Sequence, residues 1–319
     1  MLSSSAATAP PARRYRRGLT YAALLAVVLC GGVFLLRGWG GDHEFTETAA
    51  MADPHSQCEG RHHLDFIASS NTSNGQSVLL VAMALGKSYL HEYSQVLQSV
   101  HQRYAQRHGY DFKVVTRNIG NDTNIVSFAK ALLVTLPCAQ KYDFLVYVDC
   151  DVWIRSDAPP IHRAMDFGDK VGIVDEYAQP TPSMRIKYQH VRNYEDKSAE
   201  EYYRLAGFKL NTSFVLNTGV MVLQPRKHKT LFEQIYTKHI VKGHSRDKHF
   251  EQSAIGYELQ VNDKFALLDS DWNAIWALYE YFDHRITPAS FIREHSFSHF
   301  TSRKYFGVRL QKQLLKDGM

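Results

Sequence analysis

Two aspartates separated by a single residue are the residues of this sequence best suited to chemistry. Asp149 and Asp151 directly follow the apolar run Phe144 to Val148, which has the length and composition of a buried strand. Ligands bind at the carboxyl ends of strands in open α/β sheets, so both carboxylates are expected to project into that crevice. Hard oxygen ligands at this place suit Mn²⁺, or alternatively Mg²⁺, shared with a diphosphate.

A second motif of the same form, Asp269-Ser270-Asp271, also follows an apolar segment. Asp-x-Asp tripeptides arise by chance, and for either motif solvated loop acids or helix caps are the alternative interpretation. Spacing alone favours the first motif as the main metal site without excluding the second.

Alternating strands and helices are predicted to carry these residues. Apolar runs predict strands at Val78 to Leu85, Tyr110 to Val115, Phe144 to Val148, Lys170 to Val174, Val215 to Leu223 and Phe265 to Leu268. Helical periodicity lies between them, at 88–109, 128–136, 230–241 and 251–259. This alternation predicts a mostly parallel, doubly wound α/β sheet. The polar stretch 175–210 is long for a connection, so we expect a functional loop or a small helical excursion there, which closes over bound substrate.

A membrane anchor is predicted near the N terminus. Residues Gly18 to Leu36 include no charged side chain, and as a helix they are about as long as a bilayer core is thick. Four arginines precede the run and acidic residues follow it, so the positive-inside rule places the N terminus in the cytosol. A cleaved signal peptide is the alternative, and it also leaves the rest of the chain in the lumen.

We therefore expect a single-pass type II protein of the Golgi or ER membrane, with its catalytic domain in the lumen. Its predicted parts are a cytosolic tail (1–17), a transmembrane signal anchor (18–37), a stem (38–77) and a catalytic domain (78–319). N-x-S/T sequons at Asn71, Asn121 and Asn211 are compatible with this placement.

Composition narrows the class of protein. The chain is 45% hydrophobic and 22% charged, which is typical of a globular protein. Its net charge of +5 comes from 37 basic and 32 acidic residues without a dense basic run, so nucleic acid is not an expected partner. No cysteine pair has CxxC spacing, and Cys58 with Cys138 is the one pair considered for a disulfide. The oligomeric state stays open.

Several short motifs occur in a characteristic order. They are Tyr104-Ala105 with His108-Gly109-Tyr110, Phe128-Ala129-Lys130, Val148-Asp149-Cys150-Asp151, Leu216-Asn217-Thr218-Gly219, Glu251-Gln252-Ser253-Ala254 and His299-Phe300. Together they resemble the galactosyltransferase and mannosyltransferase family of fungal Golgi α-galactosyltransferases and α-mannosyltransferases and plant xyloglucan xylosyltransferases. The similarity to glycogenin-like transferases is weaker.

The resemblance implies a GT-A fold, which is a Rossmann-like nucleotide-diphospho-sugar transferase fold, and a reaction that retains anomeric configuration. The donor would be a nucleotide sugar, with UDP favoured and GDP-mannose second, and the acceptor a glycan or glycoconjugate. Asp149, Asp151 and His299 would hold Mn²⁺. Lys130, Asp149 and Arg303 would contact the donor.

Three further residues correspond to positions that border the donor sugar in that family, namely Asn217, Glu251 and Gln252. Glu251 stands where the family usually has Asp, which leaves open whether Glu251 or Gln252 faces the sugar. Ser302 replaces the family's closing glycine, while Arg303 beside it adds positive charge.

Two other functions remain open from the sequence. A metal-dependent phosphoesterase or nucleotide-sugar hydrolase could use the same acids and histidine, although such enzymes commonly need a second metal. A catalytically inactive binding ectodomain is the other. Likewise Trp272, Trp276, Tyr279 and Tyr281 could stack on acceptor sugars, but the spacing of the first three is also that of a packed helix face.

Overall fold

The structure, a computed structural model, describes residues 75–120, 126–240, 250–301 and 306–318. The predicted tail, the anchor and the stem as far as residue 74 lie outside these ranges. Across the described ranges no helix has the length and apolar character needed to cross a bilayer.

The strands form two sheets. Their bounds are β1 Val78–Met83, β2 Asp111–Val115, β3 Phe144–Asp149, β4 Val152–Ile154, β5 Val171–Asp175, β6 Leu216–Leu223, β7 Phe265–Leu268, β8 Ala274–Ile275 and β9 Phe297–His299. The six-stranded sheet has the order β2-β1-β3-β6-β5-β7, and a three-stranded sheet has the order β4-β9-β8. In the larger sheet β6 runs antiparallel to both of its neighbours, and the other pairings are parallel. The prediction of a mostly parallel α/β sheet is therefore confirmed.

Helices cover both faces of the larger sheet. Their bounds are α1 Lys87–Gln95, α2 Leu97–His108, α3 Pro182–Val191, α4 Ala199–Leu205, α5 Pro225–Ile240, α6 Phe250–Val261, α7 Trp276–Phe282, α8 Pro288–Glu294 and α9 Val308–Lys316. Side chains of α1 and α2 belong to the apolar cluster on one face, and side chains of α5 and α6 to the cluster on the other. The arrangement is doubly wound, as predicted.

Strand β1 shows why its sequence is apolar throughout. All six of its residues are buried; Leu80 and Ala82 pack on one face of the sheet, whereas Leu79 and Val81 pack on the other. A strand covered on both faces needs no polar alternation.

Two segments differ in detail from the sequence prediction. The helix predicted over 88–109 is divided at Val96, whose φ of −137° ends α1 and precedes α2. The segment predicted as a helix at 128–136 is a 3₁₀ helix, Val126–Thr135. Within 175–210 the chain forms the two short helices α3 and α4, in agreement with the small helical excursion expected there.

The two described cysteines differ in state. Cys138 is disulfide-bonded, whereas Cys150 is free and buried. The predicted partner of Cys138, Cys58, lies outside the described residues, so this pairing stays a prediction.

A buried histidine supports the edge strand β4. His101 of α2 lies 2.7 Å through Nε2 from the Val152 carbonyl oxygen, and its Nδ1 is 2.9 Å from the Tyr93 hydroxyl. Because β9 is the one strand neighbour of β4 within the described ranges, His101 provides the partner that a further strand would otherwise supply. Burial lowers the pKa of His101 from 6.5 to about 4, although the bond to Val152 partly opposes this shift.

We predict that His101 makes the fold sensitive to mild acid. The His101 imidazole takes up a proton near pH 6.5 in the unfolded chain but only near pH 4 in the folded chain, so its pKa is lowered by folding. The contribution of the neutral imidazole to the free energy of unfolding is therefore complete above pH 6.5 and is lost as the pH falls. Between pH 7.5 and 5 the loss is about 2 kcal/mol. Urea denaturation at both values should show His101→Gln to be less stable at pH 7.5, with a smaller loss on acidification. An equal acid-induced loss in both proteins would contradict this role.

Candidate active site

The carboxyl edge of the larger sheet brings the first Asp-x-Asp motif beside a distant histidine. Asp149 ends β3, and Asp151 lies in the turn that leads into β4. Strand β4 pairs with β9, whose last residue is His299 and whose register sets Val152 opposite His299. The Phe300 amide also donates to the Asp151 carbonyl oxygen at 2.9 Å. The pairing of two short strands thus places His299 at the aspartates.

The three side chains form a compact donor cluster. His299 Nε2 lies 3.1 Å from Asp151 Oδ1 and 3.9 Å from Asp149 Oδ2. One ligand atom from each residue falls within 4.8 Å of the others, and no other group of three His, Cys, Asp or Glu in the described ranges meets this criterion. The predicted metal ligands are therefore brought together.

The donor set fits a divalent cation. His299 Nδ1 is 2.9 Å from Asn273 Oδ1, which only accepts hydrogen bonds. Nδ1 therefore carries a proton, and Nε2 is the ring atom directed at the carboxylates. Two carboxylates and an imidazole nitrogen are ligands that suit Mn²⁺.

Charges within the cluster are mutually stabilised. Burial by itself would raise the pKa of Asp149, but Lys130 and His299 hold it below its usual value. Burial would likewise lower the pKa of His299, yet Asp151 and Asp149 raise it. The Asp149 carboxylate is thus anionic and suited to attract a cation.

Lys130 is a buried cation rather than a solvated helix lysine. Its ammonium lies 3.3 Å from Asp149 Oδ1, 3.7 Å from Glu251 Oε1 and 3.4 Å from Thr218 Oγ1. Burial opposes its charge, but Asp149 and Glu251 raise the pKa of Lys130 above its usual value. The Tyr147 hydroxyl donates to the same Asp149 oxygen. A fixed positive charge therefore stands beside the candidate metal cluster.

Glu251 and Gln252, at the start of α6, differ in how their side chains are engaged. Gln252 Nε2 donates to Glu176 Oε2 at 3.2 Å and to the Tyr202 hydroxyl at 3.1 Å, and Gln252 Oε1 accepts from the Thr218 amide at 3.3 Å. Glu251 Oε2 is buried and has no hydrogen-bond partner among the residues that the structure describes. Of the two, Glu251 is the residue with an oxygen left for a ligand.

Asn217 is the second residue of β6, and hydrogen bonds fix the position of its side chain. Its Nδ2 donates to Glu176 Oε2 at 2.9 Å, and its Oδ1 accepts from Asn273 at 2.8 Å and from the Gly219 amide at 2.9 Å. Since β6 is antiparallel, its amino end shares the sheet edge with the carboxyl ends of β3 and β5. The Asn217 side chain therefore lies near the metal cluster, but both of its polar atoms are already hydrogen-bonded within the protein.

Two residues of this network were missed in the sequence. Glu176 follows the carboxyl end of β5 just as Asp149 ends β3, so the strand-end rule could have singled it out. Asn273 gave no such signal, because its place beside His299 depends on the pairing of β8 with β9.

The segment 175–210 is tied to this edge. Arg185 of α3 is buried and donates to Glu176 Oε1 at 2.6 Å, while its guanidinium lies over the Tyr177 ring. Helix α3 is thereby joined to the residue that also accepts from Asn217 and Gln252.

The second Asp-x-Asp motif has structural partners. Asp269 Oδ1 accepts from the Asp271 amide at 2.8 Å and so caps the 3₁₀ helix Ser270–Trp272. Asp271 Oδ1 accepts from the Ser296 amide at 3.0 Å and lies 3.4 Å from His295 Nδ1. Asp269 is therefore a helix cap, as the alternative interpretation held, whereas Asp271 joins this helix to the segment before β9.

The aromatic cluster is mostly core. Trp276 is 2% exposed, and Trp272 and Tyr279 pack against the same apolar cluster. Tyr281 instead contacts the Tyr188 ring of α3, with ring centroids 4.9 Å apart. These three residues are therefore packed in the core, but they do not form one helix face, because Trp272 ends the 3₁₀ helix Ser270–Trp272 and α7 begins only at Trp276. Arg303, predicted to contact the donor, lies outside the described residues.

Comparison with known proteins gives the following. No protein-family model matches the chain, and no curated protein matches it. A glycosyltransferase involved in glycosylation of the major capsid of PBCV-1 is 13% identical and has a TM-score of 0.49, with 76% of this chain and 100% of that chain covered. The galactosyltransferase LgtC, in complex with donor and acceptor sugar analogs, is 15% identical with a TM-score of 0.44, covering 70% and 87%. Mouse xyloside xylosyltransferase 1 is 12% identical with a TM-score of 0.38, covering 70% and 98%.

The fold and the site define a mixed α/β protein with a candidate divalent-metal cluster and a buried lysine at one edge of its sheet.

We predict that Gly219→Ala weakens Mn²⁺ binding by about tenfold or more. A Cβ atom at Gly219 would lie 2.8 Å from His299 Nδ1, a distance shorter than Cβ atoms show to other heavy atoms in proteins. The imidazole ring or strand β6 must therefore shift. Isothermal titration of each protein with MnCl₂ measures the effect. The matched control is Gly256→Ala, whose Cβ would instead meet the Tyr203 hydroxyl at 2.5 Å. Equal Mn²⁺ affinity in wild type and Gly219→Ala would contradict the placement of His299.

Proposed function

We propose that this chain is a retaining glycosyltransferase. It moves a hexose or pentose from a nucleotide-diphosphate sugar to a hydroxyl of a glycan or glycoconjugate, with Mn²⁺ as its ion. The observation that carries the proposal is the buried Lys130 ammonium beside the Asp149, Asp151 and His299 cluster. A fixed cation next to a binding site for a divalent ion suits a diphosphate, because negative charge is distributed over several of its oxygens. The order of sequence motifs adds support, and UDP-sugars are the favoured donors, with GDP-mannose second.

The leaving group must be stabilised when the bond between sugar and diphosphate breaks. A divalent ion bound by Asp149, Asp151 and His299 would supply Lewis-acid stabilisation of that leaving diphosphate, so that no carboxylic acid has to protonate it. Lys130 contributes a second positive charge. Because it is already held by Asp149, Glu251 and Thr218, it is oriented before the donor arrives and needs little reorganisation.

The sugar itself becomes cationic in the transition state. Glu251 has an unpartnered buried oxygen and is assigned to stabilise this charge. Gln252 and Asn217 act through Glu176, to which both donate, and hold the polar surface beside it. In a retaining reaction the acceptor hydroxyl attacks on the face that the diphosphate leaves, and the leaving phosphate can take its proton. No free general base is then required at Gln252.

The proposal extends to the protein's place in the cell, which depends on an anchor segment outside the described ranges. Residues 18–37 would anchor the protein in the Golgi or ER membrane, with residues 78–319 in the lumen. Nucleotide sugars and glycan acceptors meet in that compartment.

We predict that Asp151→Asn lowers Mn²⁺-dependent transfer on the order of 10²-fold, because it removes a charged ligand of the ion. The measurement is nucleotide release from a panel of nucleotide sugars, with and without acceptor, as a function of Mn²⁺ concentration. Asp271→Asn is the matched control, since an amide oxygen can still accept from the Ser296 amide. It should retain the manganese dependence of the wild type.

The opposite pattern would refute the proposed site: manganese dependence retained in Asp151→Asn and lost in Asp271→Asn. Nucleotide release that no acceptor stimulates would instead favour a nucleotide-sugar hydrolase. Both variants need circular dichroism spectra like that of the wild type before the activities are compared.

A further inference from the structure

A chain of hydrogen bonds with one direction leads away from the candidate metal cluster. His299 Nδ1 donates to Asn273 Oδ1 at 2.9 Å, Asn273 Nδ2 donates to Asn217 Oδ1 at 2.8 Å, and Asn217 Nδ2 donates to Glu176 Oε2 at 2.9 Å. The other oxygen of Glu176 accepts from Arg185 at 2.6 Å. The chain therefore begins at a proposed metal ligand and ends at a partly buried ion pair, Glu176 with Arg185.

The Glu176 end determines the orientation of both amides. Asn217 must direct its NH₂ at the Glu176 carboxylate, and its oxygen also accepts from the Gly219 amide. Asn273 must then donate to that oxygen and turn its own oxygen to His299. If the Asn273 amide were rotated by half a turn, its oxygen would face Asn217 Oδ1, and its NH₂ group would face the N–H of His299. Each such mismatch leaves buried polar groups unpaired.

The Asn273 backbone is also fixed. Gln179 donates through Nε2 to the Asn273 carbonyl oxygen at 3.0 Å and accepts through Oε1 from the Ile275 amide at 2.9 Å. Asn273 and Gln179 are both fully buried. The side chain of Asn273 thus has little freedom to follow a displaced imidazole, and it constrains the ring instead.

We propose that Asn273 is a positioning residue for metal binding, oriented by Asn217 and Glu176. It holds His299 protonated at Nδ1 and directs Nε2 at Asp149 and Asp151. The inference rests on the metal site of the proposed function but not on the group that is transferred. Partners of this kind behind a metal-bound histidine typically change metal affinity 10- to 100-fold.

The test uses Mn²⁺ alone and the purified full-length protein. Asn273→Leu keeps the approximate shape of the side chain and removes the acceptor, so the Mn²⁺ dissociation constant should rise about 10- to 100-fold. Asn273→Asp keeps an acceptor for His299 but sets its other oxygen against Asn217 Oδ1, so it should recover most of the affinity while lowering the stability of the fold. Electron paramagnetic resonance of free Mn²⁺ measures both constants. The visible spectrum of bound Co²⁺ should change in Asn273→Leu and return toward the wild type in Asn273→Asp.

A control in the same segment separates positioning from folding. Asp269→Ala removes the cap of the 3₁₀ helix and should lower the thermal midpoint without changing Mn²⁺ affinity. If Asn273→Leu does not fold, Asn273→Ser replaces it, since the serine hydroxyl is too short to reach His299.

Three outcomes overturn the inference. The first is wild-type Mn²⁺ affinity in folded Asn273→Leu, and the second is an equal loss in Asn273→Leu and Asn273→Asp, which would indicate a structural role only. The third is a wild-type protein that binds no Mn²⁺, and this result would refute the metal site of the proposed function as well. The first two leave the proposed function intact.

Discussion

The candidate site depends on the pairing of two three-residue strands, β4 and β9. Asp151 precedes β4 and His299 ends β9, so the ladder between them joins the middle of the chain to a segment near its C terminus. His101 supports the open side of β4, and β8 supports the far side of β9. Without this small sheet, the two aspartates at the end of β3 would have no nitrogen ligand beside them. The larger sheet supplies the edge, and the smaller one completes the cluster.

Charge balance is the second constraint on this edge. Asp149 and Glu251 are neighbours of one buried ammonium, Lys130. Buried ions are costly unless paired and hydrogen-bonded, and removing one member typically costs about 3–5 kcal/mol. Lys130 thus has a structural task as well as its proposed role toward phosphate. Both tasks are consistent with the position of the lysine, which is buried beside the cluster.

The sequence predicts the strands and helices better than it predicts the contacts between distant segments. Continuous apolar runs such as Val78 to Leu85 identify strands because burial on both faces leaves a simple pattern. Asp149 and Asp151 follow from the strand-end rule, whereas His299 was expected only through resemblance. Asn273 had no local signal at all, because its role arises from contacts among β6, β8 and β9. Spacing along one segment reports periodicity, and it carries no information about which distant segments pair.

The location of a bound ion tests the central claim most directly. Crystals soaked with MnCl₂ and a nucleoside diphosphate, measured on both sides of the manganese absorption edge, give an anomalous difference map that locates the metal. The account predicts a peak bounded by Asp149, Asp151 and His299, with the diphosphate between that peak and Lys130. A manganese peak at Asp269 and Asp271, or diphosphate bound at full occupancy with no manganese at the predicted cluster, would contradict it.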